Sequence, residues 1–357
     1  MREGSMQRMK IAVFARSLSK KPTGRGFLAQ EILRALSKLG FDLHVFAMEP
    51  VDIPGCHYWP ARGTTFLGSI ARMGAGVAHD VRRIHPDVFF ATTHLLPFSL
   101  PRRIPKVVTL LDVVWRDHPE TMSRKNRLVA AFMERALHQA DRIACISAFT
   151  RDRLAAHWPH LRERSEVVHL ACNQRLRDSP DVELGIEGPF VLNVDTFEPR
   201  KNLGLFLRAA QRMPKMIFAH CGPIGWNVAS DLALAKSLPN VRLLGYVDEP
   251  TLASLYRTAA AAVFPSFYEG FHLAPLDAAS LGCPVLLSEI PVHREVLGDA
   301  ASYFPVQDVE ALLAGIGKIS TRRNELGQAA RARAARFRWE DSAKKLAQLF
   351  SSICEAR

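Results

Sequence analysis

The chain has 357 residues, of which 48% are hydrophobic and 23% charged, and its formal net charge is +12. This length suits two α/β domains better than one core, and no apolar run reaches the roughly 18 to 20 residues that a membrane helix needs. The polar N-terminus lacks the apolar core of a signal peptide, so a globular cytoplasmic protein is expected.

The positive charge is unevenly distributed. Residues 1–176 contain 27 Lys and Arg against 15 Asp and Glu, whereas residues 177–357 contain 20 of each. A basic half favours an anionic membrane surface or a phosphorylated acceptor as partner, and a merely solubilising surface is an equal alternative. No zinc-finger or RNA-recognition pattern is present, so nucleic acid is not expected. Six scattered cysteines without a Cys-x-x-Cys pair predict free thiols in a reducing cytoplasm.

The first half of the chain alternates strands and helices. Residues 10–15 read as a buried strand, a loop containing Gly24 and Gly26 follows, and residues 27–39 have helical apolar spacing. Residues 42–47 form the next strand, which completes a Rossmann-like unit. The loop is not a Gly-x-Gly-x-x-Gly fingerprint and the second strand does not end on an acid, so NAD binding is poorly supported.

Further strands are predicted at 84–94, 106–112 and 166–171, with a helix at 127–140 and another capped by Ser147. A polar linker, residues 172–188, then separates the halves. We therefore expect a first domain at 1–175, a second at 176–337 and a C-terminal helix at 338–357.

The most informative stretch lies in the second half. Residues 261–265 are a short buried strand, Gly270 provides a sharp turn, and a helix follows until Gly282. A helix that begins after a strand presents free N–H groups and a partial positive charge, which is a site for phosphate. Glu269 and Asp277 bracket this helix about two turns apart. Two carboxylates flanking a phosphate site suit a nucleotide-sugar.

Basic residues follow another predicted strand of the same half. Residues 190–194 are apolar, and Arg200 and Lys201 come shortly after them. Arginine can bind two phosphate oxygens as a fork, and lysine adds a point charge. We expect this pair to neutralise a diphosphate.

These segments resemble the signature of retaining GT-B glycosyltransferases with a Glu-x7-Glu motif, that is, glycosyltransferase family 4, group 1. The chain has Glu269, Gly270, Phe271 and Leu273 in register, followed by Gly282-Cys-Pro-Val. It departs from the pattern with His272 for Gly, Ala274 for Pro and Asp277 for the second Glu. The Arg200-Lys201-Asn202 segment is similar to the part of this family that clamps the donor diphosphate, with Asp195 replacing a Gly.

The resemblance extends over nearly the whole chain. The loop with Gly24 and Gly26 is similar to the family's diphosphate loop, and Gly245, Tyr246 and Val247 lie where the family packs the nucleotide base. One departure is serious: Leu111 stands where the family has a histidine that reaches the donor sugar. His94 and His118 are alternative replacements, and neither is assigned.

The resemblance implies a GT-B fold, in which two Rossmann-like domains face each other across a cleft and the last helix crosses back to the first domain. It implies retaining transfer from a nucleotide-sugar, with GDP-mannose favoured over UDP- or dTDP-sugars, to a saccharide or lipid-linked acceptor. No Asp-x-Asp stands at a strand end, and Arg200 and Lys201 together with the helix N-terminus can replace a divalent cation, so no cofactor or metal is expected. The catalytic candidates are Glu269, Arg200 and Lys201. The donor-binding candidates are Gly24, Gly26, Arg200, Lys201, Gly245, Tyr246, Val247, Glu269, Gly270, Phe271, His272, Leu273 and Asp277.

Two other functions remain open. Leu111 makes a catalytically impaired nucleotide-sugar-binding subunit of a heteromeric transferase credible. A GT-B-fold sugar-nucleotide epimerase would share the architecture, but it requires acid and base groups that the sequence does not place.

Overall fold

The computed structural model describes residues 8–19, 24–49, 52–61, 72–97, 99–122 and 124–355. The chain divides into two compact units. Unit 1 comprises residues 1–113, 126–170 and 339–357, and unit 2 comprises residues 114–125 and 171–338. Within the described residues, no helix is both long and apolar enough to span a bilayer.

The strands of each unit form one parallel sheet. In chain order the described strands are β1 Lys10–Phe14, β2 Asp42–Ala47, β3 Cys56–Pro60, β4 Val88–Ala91, β5 Lys106–Leu110, β6 Arg142–Cys145, β7 Ser165–Val167, β8 Phe190–Val194, β9 Ile217–Cys221, β10 Val241–Gly245, β11 Ala261–Phe264, β12 Val285–Ser288 and β13 Ser302–Phe304. The order in unit 1 is β3-β2-β1-β4-β5-β6-β7, and in unit 2 it is β10-β9-β8-β11-β12-β13. All pairings are parallel, as expected for α/β units whose strands are buried on both faces.

Helices connect these strands. The described helices are α1 Gly24–Lys38, α2 Val77–Ile84, α3 Val114–Asp117, α4 Arg124–Gln139, α5 Ala148–His157, α6 Arg175–Asp178, α7 Leu203–Arg212, α8 Ala229–Ser237, α9 Glu249–Thr258, α10 Leu273–Ser280, α11 Pro291–Leu297, α12 Val309–Thr321, α13 Arg323–Ala334 and α14 Trp339–Glu355. Ser147 is the N-cap of α5, as predicted, because its hydroxyl accepts from the Thr150 N–H at 2.9 Å.

The last helix, α14, packs within unit 1. The ring of Trp339 lies 6.1 Å from that of Phe27 on α1, and the ring of Phe350 lies 5.4 Å from that of Phe90 on β4. Trp339 and Phe350 are buried, so the helix is anchored at both ends by aromatic contacts.

The core of unit 2 lies between its sheet and helices α7 and α12. Phe206 on α7 and Phe218 on β9 meet edge to face with ring centroids 4.9 Å apart, and both side chains are fully buried. Leu312 and Ile316 of α12 belong to the same cluster. This packing fixes the sheet whose strand ends carry the candidate site.

Candidate functional site

The signature stretch has the predicted order of strand, turn, helix and strand. β11 ends at Phe264, the chain turns through Glu269 and Gly270, and α10 begins at Leu273. Gly282 ends this segment with a φ of +75°, and the guanidinium of Arg331 donates to the carbonyl of Leu281 at 3.0 Å. The N-terminus of α10 therefore lies just beyond the carboxyl end of β11, where backbone N–H groups favour an anion.

A second turn, Pro199–Lys201, packs against the first one. The Phe267 N–H donates to the carbonyl of Arg200 at 2.9 Å, and the guanidinium of Arg200 donates to the carbonyl of Tyr268 at 2.9 Å. The Asn202 amide donates to the carbonyls of Pro265 and Val306. Because β8 and β11 are parallel neighbours, these turns lie at the same edge of the sheet.

Both predicted phosphate-binding cations are already ion-paired. The Arg200 guanidinium contacts Glu269 Oε2 at 2.5 Å and Glu198 Oε1 at 2.7 Å. The Lys201 Nζ contacts Asp195 Oδ1 at 2.5 Å and Glu269 Oε1 at 2.7 Å. Three carboxylates with buried side chains thus face these two cations, so the pair contributes no excess positive charge.

The network keeps its carboxylates ionised. Burial alone would raise the pKa of Glu269, but Arg200, His272 and Lys201 outweigh it and hold that pKa well below its usual range. Asp195 behaves likewise: burial raises its pKa, but Lys201 and His272 lower it by more, so the net shift is downward. Burial lowers the pKa of Lys201, but the carboxylates of Asp195 and Glu269 raise it by more, so its pKa lies above the usual value. The three groups are charged at neutral pH.

His272 joins the same cluster from the N-cap position of α10. Its backbone is left-handed, with a φ of +70°, a conformation that glycine adopts far more readily. Its Nε2 lies 3.2 Å from Asp195 Oδ1 and its Nδ1 lies 2.9 Å from His293 Nε2. The sequence suggested neither contact.

Asp277 lies on α10, away from the ion network. Its Oδ1 accepts from the Asn173 N–H at 2.7 Å, and the Asn173 amide donates to Glu249 at 3.1 Å. The carboxylate is therefore held in place by the segment that enters unit 2.

The predicted base-binding segment lies at the carboxyl end of β10. Gly245 ends β10 with a φ of +67°, and its carbonyl accepts from the Gly222 N–H at 2.8 Å. Tyr246 is 62% exposed and Val247 is partly buried. An exposed aromatic side chain next to a glycine turn can stack on a flat ring.

The prediction of a loop through Gly24 and Gly26 is wrong. Both residues lie in the first turn of α1, which begins three positions earlier than the apolar periodicity indicates. Gly26 is buried within unit 1, and the carbonyl of Arg25 accepts from the Ser17 hydroxyl at 3.2 Å. Both glycines belong to the first turn of this helix, and their role in donor binding stays a prediction.

The two alternatives for the missing histidine lie in different units. His94 is buried in unit 1, its Nδ1 accepts from the Leu111 N–H at 3.4 Å, and burial lowers its pKa to about 4. His118 belongs to unit 2, and its ring lies 5.2 Å from that of Tyr268, next to Glu269. His118 therefore belongs to the same unit as the cluster.

In the described part of the chain, one group of residues has the spacing of metal ligands. It consists of Asp42, His44 and His57 in unit 1. The Trp59 indole donates to His44 Nδ1 at 3.1 Å, so a neutral His44 carries its proton on Nε2, the nitrogen that faces Asp42 at 3.3 Å. A metal ion would have to displace that proton.

Two family models match consecutive parts of the chain. The model described as Glycosyltransferase Family 4 covers residues 24–175, and the one described as Glycosyl transferases group 1 covers residues 176–337. An O-antigen chain mannosyltransferase B from Escherichia coli is 32% identical over 270 residues, which are 68% of this chain and 70% of that protein. The chain belongs to the family 4, group 1 glycosyltransferases.

Solved structures have the same fold. A sucrose-phosphate synthase from Thermosynechococcus elongatus has a TM-score of 0.82 at 18% identity, covering 98% of this chain and all of that one. The Anabaena protein HepE in complex with UDP-glucose has a TM-score of 0.74 at 17% identity, covering 97% of this glycosyltransferase and all of that chain. At these identities the comparisons establish the fold, which confirms the predicted GT-B class.

Sequence reasoning missed three residues of the cluster. Asp195 and Glu198 were visible next to the Arg200-Lys201 pair, and their acidity could have indicated ion pairing. His293 gave no signal, because it contacts His272 from a separate helix, α11.

Proposed function

We propose that this glycosyltransferase transfers a mannosyl residue from GDP-mannose, with retention of configuration, to a saccharide or lipid-linked acceptor in polysaccharide biosynthesis. One observation supports the donor site above all. The buried network of Arg200, Lys201 and Glu269 lies beside the N-terminus of α10, at the carboxyl ends of β8 and β11. Open α/β sheets bind ligands at this position.

The side chains have separate roles in this proposal. Arg200, Lys201 and the helix N-terminus stabilise the negative charge that develops on the departing diphosphate, without a metal ion. Glu269, fixed by both cations, orients the transferred sugar and stabilises its electron-poor centre. Asp277 binds the ribose hydroxyls, and Tyr246 packs on the base.

The choice of mannose rests on relatives. The 32% identical Escherichia coli protein is an O-antigen chain mannosyltransferase, and the Glu198-Pro-Arg200-Lys201-Asn202 segment resembles mannosyltransferases. UDP-sugars are the main alternative donors, because HepE has been solved with UDP-glucose. The basic first half of the chain suits peripheral attachment to the cytoplasmic face of an anionic membrane.

The proposal is tested by incubating the protein with GDP-mannose and a mannose-terminated acceptor, with and without EDTA. We expect transfer that EDTA does not reduce, and NMR of the product should show the anomeric configuration of the donor. Transfer from a UDP- or dTDP-sugar instead would replace the donor assignment, and an inverted product would refute retention.

Leu111 favours one alternative, a nucleotide-sugar-binding subunit without transfer activity of its own. Leucine cannot donate the hydrogen bond of the family's histidine, and the Leu111 N–H contacts buried His94. Donor binding without transfer or hydrolysis would select this alternative.

A further inference from the structure

Asp195 places a carboxylate where the family pattern has glycine, a residue without a side chain. It follows β8 directly, and its backbone N–H donates to the carbonyl of Cys221 at 3.0 Å. Its side chain is 5% exposed, and its Oδ1 lies 2.5 Å from the Nζ of Lys201. The chain therefore holds a buried negative charge against the cation that the proposed donor site assigns to the diphosphate.

The ammonium of Lys201 is surrounded by three neighbouring side chains. Its Nζ lies 2.5 Å from Asp195 Oδ1, 2.7 Å from Glu269 Oε1 and, as the longest of the three contacts, 3.4 Å from His272 Nε2. An ammonium has only three N–H donors. A phosphate oxygen that approaches Lys201 therefore meets a cation whose charge two carboxylates already balance.

Of these two carboxylates, Asp195 depends more on Lys201. Glu269 is also paired with Arg200, whose guanidinium lies 2.5 Å from Oε2. Asp195 Oδ1 has Lys201 and, at 3.2 Å, the ring of His272. Within the described residues, Asp195 Oδ2 is buried without a hydrogen-bond partner. Because a buried carboxylate is costly without its cation, drawing Lys201 away from Asp195 requires free energy.

Both members of this pair are ionised. Burial raises the pKa of Asp195, but Lys201 and His272 lower it by more. Burial lowers the pKa of Lys201, but Asp195 and Glu269 raise it by more. Since both side chains are shielded from water, their attraction is screened much less than that of a surface pair. A diphosphate must weaken this attraction before it can use the charge of Lys201.

We propose that Asp195 competes with the donor diphosphate for the ammonium of Lys201 and thereby limits the affinity for nucleoside diphosphates. The inference rests on the proposed donor site. When the diphosphate binds, the ammonium moves from the carboxylate towards a phosphate oxygen. When the nucleoside diphosphate leaves, the carboxylate holds the ammonium again. Asp195 is then a positioning residue that acts through Lys201 and favours release of the product.

The test is titration calorimetry of GDP binding to the wild-type protein, Asp195→Asn and Asp195→Gly at one pH and one salt concentration. Asparagine keeps the shape of the side chain without its charge, and glycine is the residue of the family pattern. Both variants should bind GDP about tenfold more tightly, and stopped-flow measurements should show slower dissociation. Damage to the structure would weaken binding, so a gain in affinity separates competition from a structural role.

A double-mutant comparison shows whether Asp195 acts through Lys201. In the Lys201→Met background, Asp195→Asn should change the Kd for GDP by less than about twofold, because no ammonium is left to compete for. An equal gain in affinity in both backgrounds would mean that the carboxylate repels the diphosphate directly, which would overturn the competition. The single Asp195 variants keep Lys201 and therefore test the proposal even if Lys201→Met does not fold.

Asp181→Asn is the matched control, because it removes a carboxylate of unit 2 that is ion-paired with Arg257 at 2.7 Å. Its Kd for GDP should equal that of the wild-type protein. Equal or weaker binding by both Asp195 variants of a nucleotide that the wild-type protein binds, whether GDP, UDP, dTDP or ADP, would overturn the inference alone. Binding by the Asp195 variants but not by the wild-type protein would support it. Binding of none of the four nucleotides by any of these proteins would overturn both the inference and the proposed donor site.

Discussion

Replacing Lys201 by methionine should strongly destabilise unit 2. Methionine keeps most of the side-chain volume, so the change removes the charge rather than the packing. Lys201 is 7% exposed, and its ammonium lies 2.5 Å from Asp195 and 2.7 Å from Glu269. Removing one partner of a buried ion pair leaves an uncompensated charge and typically costs about 3–5 kcal/mol.

The effect should depend on pH in a definite direction. In the wild-type protein, folding lowers the pKa values of Glu269 and Asp195. Their ionised carboxylates therefore stabilise the folded state fully above the unfolded pKa of about 4. This stabilisation is lost as the pH falls through the lower pKa values of the folded state. In the Lys201→Met variant, less positive charge opposes the effect of burial, so the pKa values of Glu269 and Asp195 rise. The variant should therefore lose most stability at neutral pH and approach the wild-type protein only near about pH 3, below the unfolded carboxyl pKa, where the wild-type network is itself being lost.

Urea unfolding at both pH values measures the difference as a shift in midpoint at constant slope. Lys236→Ala, an exposed lysine on α8 of the same unit, is the control and should change stability by less than about 0.5 kcal/mol. If the free energy of unfolding of the methionine variant at neutral pH is less than about 1 kcal/mol below that of the wild-type protein, the network is not both buried and charged.

Three further substitutions test separate parts of the structure. Gly222→Ala should cost about 3 kcal/mol or more in unfolding experiments, because its Cβ would lie 1.8 Å from the carbonyl oxygen of Asp195 at a φ of +146°; a stable variant would contradict this close approach. Tyr246→Ala should raise the KM for the donor severalfold and leave the melting temperature unchanged, since the ring is exposed; an unchanged KM would remove it from the base site. Ser147→Ala should lower stability by about 1 kcal/mol through loss of the α5 cap, and thermal unfolding would show whether it does.

Local patterns predicted much of the fold. The apolar runs at β11 and β12, the turn at Gly270 and the stop at Gly282 all follow from residue-level preferences, and the structure has each of them. Gly24 and Gly26 show where such preferences fail. Glycine is a poor helix former, yet the helix extends over both residues, of which Gly26 is buried and Gly24 is exposed.

The amino-acid sequence by itself determined the family, the two parallel-sheet units and the basic and acidic residues at the ends of β8 and β11. These properties depend on the spacing of residues that are close together in the sequence, and this spacing can be read from the sequence alone. Only the tertiary structure decided that His272 contacts both Asp195 and His293, and that Arg200 and Lys201 are already ion-paired. The contacting atoms come from segments far apart in the chain, and only the parallel pairing of β8, β11 and β12 brings those segments to one edge of the sheet.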